Sequence, residues 1–295
     1  MIKEREIEKP MENILIPNPE KLKELKQAIA EGGVEKLHIL ADFDRTLTTA
    51  FVDGRSIPSL ISVLREGNYL GSDYASKAFE MYDRYHPIEI DPNISLEEKK
   101  KAMHDWWVEH FDLLIKCGLN KKDIESVIKS GKVKFREGFS EFSDFLKGNN
   151  IPLVIMSSSG LGHDAISMYL ENEGCLHKNV HIISNTLEWD KDGNAVGVKQ
   201  PIIHTLNKYE TSVKDFPVFE QIKERKNVLL LGDSLDDVGM VEGFDYDNLI
   251  KVGFLNEKPE ENLEHYKHNF DAVILNDSSL NFVNKTLKDI FDRNR

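Results

Sequence analysis

Asp42 and Asp44 stand one residue apart, directly behind the apolar run Leu37-His38-Ile39-Leu40-Ala41. In extended backbone, side chains at i and i+2 point to the same side, so the two carboxylates face one point. They repel there unless a cation or a proton lies between them. That makes the pair either a site for a hard divalent metal or an acid/base pair with split pKa values. Phosphoryl transfer uses both: an ionised carboxylate attacks phosphorus, and a second carboxyl group protonates the leaving oxygen and later activates water. A second acidic string, Gly232-Asp233-Ser234-Leu235-Asp236-Asp237, follows the apolar run Val228 to Leu231. Its acids at i and i+4, Asp233 and Asp237, can present carboxylates toward one point, with Asp236 facing solvent. Taken alone, the string is also a sound helix N-cap, with acids favoured by the helix dipole.

The elements that must position these residues can be read from apolar patterning. Short buried runs at 37–41, 151–156, 180–184, 227–231, 250–255 and 272–275 have the length and composition of parallel strands, and helical spacing separates most of them. Strands alternating with helices predict an α/β fold: a Rossmann-like parallel sheet core covered on both faces, with ligands outside the carboxyl ends of the strands. Three of those ends carry Asp42, the serine cluster Ser157-Ser158-Ser159 and Asp233. Between Phe51 and Glu137 the chain is rich in charged and aromatic residues, with a helix start at Ser95-Leu96-Glu97-Glu98 and no clear strand. The expected organisation is a core of residues 1–50 and 138–295 with an inserted helical cap at 51–137. Asp190-Lys191-Asp192-Gly193-Asn194 carries hairpin turn chemistry.

The string Asp42-Phe43-Asp44-Arg45-Thr46-Leu47-Thr48 resembles the first motif of the haloacid dehalogenase superfamily, D-x-D-x-T-[LV]-[ST]. The match implies Asp42 as nucleophile and Asp44 as general acid/base. Gly232 to Asp237 looks like the fourth motif, which implies Mg²⁺ held by Asp42, Asp233 and the Asp44 carbonyl, with Asp237 reaching it through water. The second motif, a Ser or Thr at a strand end that donates to phosphate, is met by Ser157 or Ser158. Lys199, in Gly197-Val198-Lys199-Gln200, fits the third motif, a lysine that neutralises carboxylates and phosphate.

The resemblance sharpens to the cytosolic 5'-nucleotidase III (pyrimidine 5'-nucleotidase) family. It runs from about Lys36 to Ile290 through Tyr85-His86-Pro87-Ile88-Glu89-Ile90-Asp91-Pro92, Trp106-Trp107, Ser158-Ser159-Gly160-Leu161-Gly162 and Ile203-His204-Thr205-Leu206-Asn207-Lys208. It favours Ser158 for the second motif. It implies that Glu89 reads a nucleobase, that Trp107, with Trp106, can stack on it, and that His110 stands where the family's cap site has a serine. Arg45 replaces the usual Met, and Ser159 the usual Ala. The substrate the resemblance implies is a nucleoside 5'-monophosphate held also by Ser157, Ser158, Ser159 and Lys199. The rival is another small phosphate ester, phosphoserine or a sugar phosphate. A binding protein that kept only the fold would have lost Asp42, Asp44, Lys199 or Asp233, and all are present.

Composition narrows the partners. A formal net charge of −13 argues against a broad nucleic-acid-binding surface, which needs excess Lys and Arg. The opening MIKEREIEKP lacks an apolar h-region, and no stretch has the length to span a bilayer. Two cysteines, Cys117 and Cys175, in no metal-type spacing, are expected as reduced thiols. The expectation is a cytoplasmic monomer with no membrane or nucleic-acid partner. His177 and His181, at i and i+4, lack a third ligand for a zinc site. Gly160-x-Gly162 is too short for a dinucleotide fingerprint.

Overall fold

The computed structural model describes residues 13–57, 59–91, 93–208, 216–243 and 245–291. Strands in the first half are β1 (Ile14–Leu15), β2 (Leu37–Ala41), β3 (Phe51–Val52), β4 (Arg55–Ser56) and β5 (Leu153–Ser157). The second half adds β6 (Val180–Ser184), β7 (Leu187–Trp189), β8 (Ala195–Val198), β9 (Asn227–Gly232), β10 (Asn248–Leu255) and β11 (Ala272–Leu275). Seven of them form one sheet in the order β1-β11-β10-β9-β2-β5-β6, parallel except for the edge strand β1. β2, β5 and β9 thus lie side by side, and their carboxyl ends bring Asp42, the serines and Asp233 to one edge. This is the parallel α/β core expected from the apolar runs.

Successive residues of the central strands bury into different layers, the alternation of a sheet covered on both faces. Ile39, Ile155, Leu229 and Leu231 join one apolar cluster, while Leu40, Val154, Leu230 and Val273 join the other. The first cluster takes in residues of α1 (Pro19–Gly32), α6 (Phe139–Gly148), α7 (Gly162–Asn172) and α10 (Asn281–Phe291). The second takes in Ile222 of α8 (Phe219–Ile222) and meets the Tyr266 side of α9 (Pro259–Asn269).

Between β2 and β5 the chain forms α2 (Leu60–Glu66), α3 (Ser72–Ile90), α4 (Leu96–Lys116) and α5 (Lys121–Lys129). α4 starts where its sequence says it should: Ser95 and Glu98 complete a reciprocal capping box. One expectation is corrected. The segment is not free of strands, because β3 and β4 open it as a two-stranded hairpin. Its turn residues Asp53 and Gly54 both have positive φ, 51° and 75°, which is the two-residue hairpin geometry. β7 and β8 form the hairpin expected around Asp190 to Asn194.

His38 on β2 supplies a test of the core. Its ring is 1% exposed and its Nδ1 donates to the Arg225 carbonyl at 2.9 Å. Burial pushes its pKa down to about 4, against the smaller upward pull of that carbonyl. The unfolded imidazole titrates near 6.5, so between the two values the unfolded chain binds more protons. Stability is therefore present above about pH 6.5 and is lost as pH falls toward 4, by about 3 kcal/mol from this residue. Urea unfolding across that window should show the loss. His38→Asn, which keeps a donor for Arg225, should remove roughly one proton's worth of the slope. An identical slope in the two proteins would refute the assignment.

Candidate active site

β2 delivers Asp42 with its N–H bonded to the Leu231 carbonyl of β9, so the carboxylate sits at the junction of the two central strands. Asp42 is 5% exposed and accepts a hydrogen bond from Lys208 Nζ, which also donates to Asp237 Oδ1 at 2.9 Å. The other Asp237 oxygen accepts the N–H groups of Asp233 (3.1 Å) and Ser234 (3.0 Å). That turn requires Gly232. A Cβ there would meet Asp237 Cβ at 2.4 Å, with no flexible tip to give way. Asp236 is exposed, as expected.

Ligating oxygens of Asp42, Asp233 and Asp237 lie within 4.8 Å of one another. Burial, then the neighbouring Asp237 charge, pushes Asp42 up to about 6 against the pull of Lys208. Burial together with Asp42 and Asp237 pushes Asp233 up to about 8. Asp44 is raised well above the ordinary carboxylate range by burial and by Asp42, and its Oδ1 is buried without a hydrogen-bond partner. Burial alone would lower the Lys208 pKa, but the Asp237 and Asp42 carboxylates outweigh it and hold the ammonium charged. The group is short of positive charge. All-oxygen donors that repel one another in a small buried space suit a hard divalent cation, and the residues present fit one. His177 and His181 join no cluster of three ligating side chains among the described residues.

The turn between Asp44 and Ala50 is held from beneath by Arg136. This side chain is fully buried and donates to the carbonyls of Thr46 (2.7 Å), Ser278 (2.8 Å) and Arg45, and to Asn256 Oδ1 (2.7 Å). Asp277 balances its charge at 2.9 Å and accepts the N–H groups of Ala50 and Phe51. Arg45, at φ 61°, reaches Asp233 (3.4 Å) and Glu257 (2.7 Å).

Among the three serines, Ser157 Oγ accepts the Ser159 N–H and Ser159 Oγ accepts the Leu161 N–H. Ser158 is the least buried of them and lines a 150 Å³ cavity together with Asp42, Asp44, Lys208 and Asp233. Ser157 touches the same cavity from a buried position.

Lys199 is corrected. It is exposed at the end of the β7–β8 hairpin, its backbone N–H bonded to Thr186, and it lines neither this cavity nor the one beside it. The lysine among the carboxylates is Lys208. Its signal was present in the sequence, at the end of the family-like string Ile203 to Lys208, but a lysine in a polar stretch has no local mark that says which carboxylates it will meet. Thr205, three residues earlier, was missed in the same way, and Arg136 had no motif at all.

A cavity of about 660 Å³ adjoins the small one and shares Asp44, Arg45, Ser158 and Thr205 with it. Trp106, Trp107 and His110 line it, as do Tyr74, Tyr82 and Arg65. Trp107 Nε1 donates to the Ser158 carbonyl at 3.2 Å, while Trp106 stacks on Tyr85 at 5.7 Å. Each indole therefore has an anchoring contact and still contributes to the wall. His110 Nε2 donates to the Gly160 carbonyl at 2.9 Å, and burial pushes its pKa down to about 4, so the ring is neutral. Gly160 makes room for it, since a Cβ would lie 2.9 Å from His110 Nε2. Glu89, near the end of α3, lines neither cavity itself; it accepts from Thr205 Oγ1 at 2.9 Å and lies 3.2 Å from His86 Nδ1, and both of those residues line the larger one. A larger, open groove of about 860 Å³ on α3 and α4 contains none of the motif residues.

This arrangement of strands and helices occurs in known proteins. A substrate-bound phosphoserine phosphatase shares the fold over 84% of this chain and 96% of its own, with a TM-score of 0.51 and 17% identity. The structure of cytosolic 5'-nucleotidase IIIB bound to cytidine matches far more closely, with a TM-score of 0.86 and 28% identity over 96% of this chain and 94% of that one. Among sequences, 7-methylguanosine phosphate-specific 5'-nucleotidase A of Xenopus laevis is 35% identical over 96% of this chain and 97% of its own length. The human 7-methylguanosine phosphate-specific 5'-nucleotidase is 34% identical over 94% and 92%. The family model for pyrimidine 5'-nucleotidase (UMPH-1) matches residues 45–291, and the chain belongs to that family of phosphoric monoester hydrolases. Among the described residues no helix is long and apolar enough to cross a membrane.

Proposed function

We propose that the protein hydrolyses nucleoside 5'-monophosphates to nucleoside and phosphate, with Asp42 as nucleophile and an aspartyl-phosphate intermediate. The observation that carries this reading is the pair of adjoining cavities. The small one holds a strand-end carboxylate beside a buried lysine, and the large one is walled by aromatic rings on the scale of a nucleoside. A phosphoryl group in the small cavity meets both Asp42 and Asp44, which line it. Asp44, whose carboxyl is pushed well above the ordinary range by burial and by Asp42, donates a proton to the leaving 5' oxygen and afterwards takes one from water. Ser158 Oγ and Lys208 Nζ neutralise and orient the phosphoryl oxygens. Asp42, Asp233 and the Asp44 carbonyl would hold Mg²⁺, with Asp237 supporting, and the ion would supply charge stabilisation at the phosphate. Residues 51–137 act as the cap. Trp107 stacks on the base, and Glu89, held by Thr205 and His86, accepts from its N–H groups.

A phosphate-release screen over nucleoside monophosphates, sugar phosphates and phosphoserine tests this reading. Nucleoside monophosphates should be turned over best, and a chelator should remove activity that excess Mg²⁺ restores. Turnover of phosphoserine or a sugar phosphate ahead of every nucleotide would replace the substrate assignment with the rival one. Activity untouched by chelator would remove the metal.

A further inference from the structure

The nucleoside-sized cavity contains two polar groups that no role described so far uses. Tyr74 is fully buried, lines the cavity, and its hydroxyl has no hydrogen-bond partner. Arg65 lines the same cavity, and its Nε is buried without a hydrogen-bond partner. The guanidinium lies over two ring faces, 5.0 Å from the centroid of Phe79 and 5.6 Å from that of Tyr82, so aromatic contacts hold it in place. Among the described residues it forms no ion pair, whereas the cavity's other arginine, Arg45, is engaged by Asp233 and Glu257. Its charge is felt by both Tyr74 and His110. His110 is neutral and already donating to Gly160, whereas Arg65 Nε and the Tyr74 hydroxyl are buried donors at this wall without a partner.

A buried donor left without a partner is costly, and a half-buried cation with no ion pair attracts any acceptor brought within its reach. Both are satisfied by a ligand atom that accepts hydrogen bonds and carries partial negative charge. On a nucleobase, that atom is a carbonyl oxygen or an unprotonated ring nitrogen beside it. A guanidinium fork matches such an edge better than a point charge does. It also opposes any base that is itself cationic, as the ring of 7-methylguanine is, because methylation removes the N7 acceptor and adds a positive charge.

Resting on the nucleotidase reading above, we propose that Arg65, assisted by the Tyr74 hydroxyl, determines base specificity by binding a carbonyl edge of an uncharged base. It selects nucleotides of cytosine, uracil or guanine over the 7-methylguanine nucleotide, the substrate for which the curated relatives are named, and over the adenine nucleotide, which has no carbonyl.

The test is kcat/KM on CMP, UMP, GMP, AMP, 7-methyl-GMP and the baseless ester ribose 5-phosphate, for the wild-type protein, Arg65→Gln, Arg65→Lys and Tyr74→Phe. Wild-type protein should prefer CMP, UMP or GMP to 7-methyl-GMP and to AMP by about 10-fold or more. Arg65→Gln should lose about 10-fold more on the carbonyl bases than on ribose 5-phosphate and should narrow the gap to 7-methyl-GMP. Arg65→Lys, keeping charge without the fork, should keep the bias against 7-methyl-GMP. Tyr74→Phe should act in the same direction as Arg65→Gln, more weakly. A loss of equal size on ribose 5-phosphate and on CMP assigns Arg65 a structural role and overturns the proposal, as does wild-type preference for 7-methyl-GMP. If ribose 5-phosphate is hydrolysed and no nucleotide is, the nucleotidase reading falls and this inference with it.

Discussion

Asp42→Asn is expected to abolish turnover, lowering kcat by about 10⁴-fold or more while leaving the fold in place. An amide oxygen is too weak a nucleophile to open a covalent path, so the whole benefit of splitting the reaction into two steps is lost. The structural consequences are small by comparison. The backbone N–H of residue 42 keeps its bond to Leu231, and an Asn oxygen can still accept from Lys208. Single-turnover assays with a nucleoside monophosphate, together with trapping of phosphoprotein in the native enzyme, separate chemistry from binding. A variant that retains more than about a tenth of wild-type kcat would sink the nucleophile assignment, since no other group proposed at the site could replace it.

Lys208→Met is expected to be the second most damaging change, and it affects stability as well as rate. The ammonium is the one cation bonded to both Asp42 and Asp237 among the described residues, and all three side chains are nearly fully buried. Removing one partner of a buried ion pair leaves its carboxylates without compensation, a loss of about 3 to 5 kcal/mol, part of which protonation recovers. The same charge is lost from the developing transition state, and kcat should fall by about 10³-fold. Lys199→Ala is the comparison: that side chain is exposed and outside both cavities, so its kcat and urea midpoint should match the wild type. The reverse pattern, with Lys199 essential and Lys208 dispensable, would return the third-motif role to Lys199.

The two lysines mark where local reading stops. Asp42, Asp44 and the Asp233–Asp237 string were legible because a strand that ends in a turn places its next side chains by backbone geometry alone. The same holds for the α4 capping box, which is complete within four residues. Lysine has no such local signature. It is long, flexible and common on surfaces, and its role depends on which carboxylates the tertiary fold brings within reach. The hairpin at Phe51 to Ser56 was overlooked for a different reason: strands of two residues have no alternation to detect. Only the Asp53-Gly54 turn announced them.

What the sequence determined by itself about this protein is therefore the sheet, the strand ends that matter and the acidic groups placed there, all of them consequences of patterns a few residues long. The tertiary structure alone decided which lysine neutralises those acids, which serine is open to the small cavity beside them, and that Arg136 clamps the turn after Asp44 from 90 residues away. It also decided that Arg65, which forms no ion pair among the described residues, reaches the wall of the larger cavity. These depend on contacts between distant segments, and the packing of whole elements, rather than any local pattern, sets them.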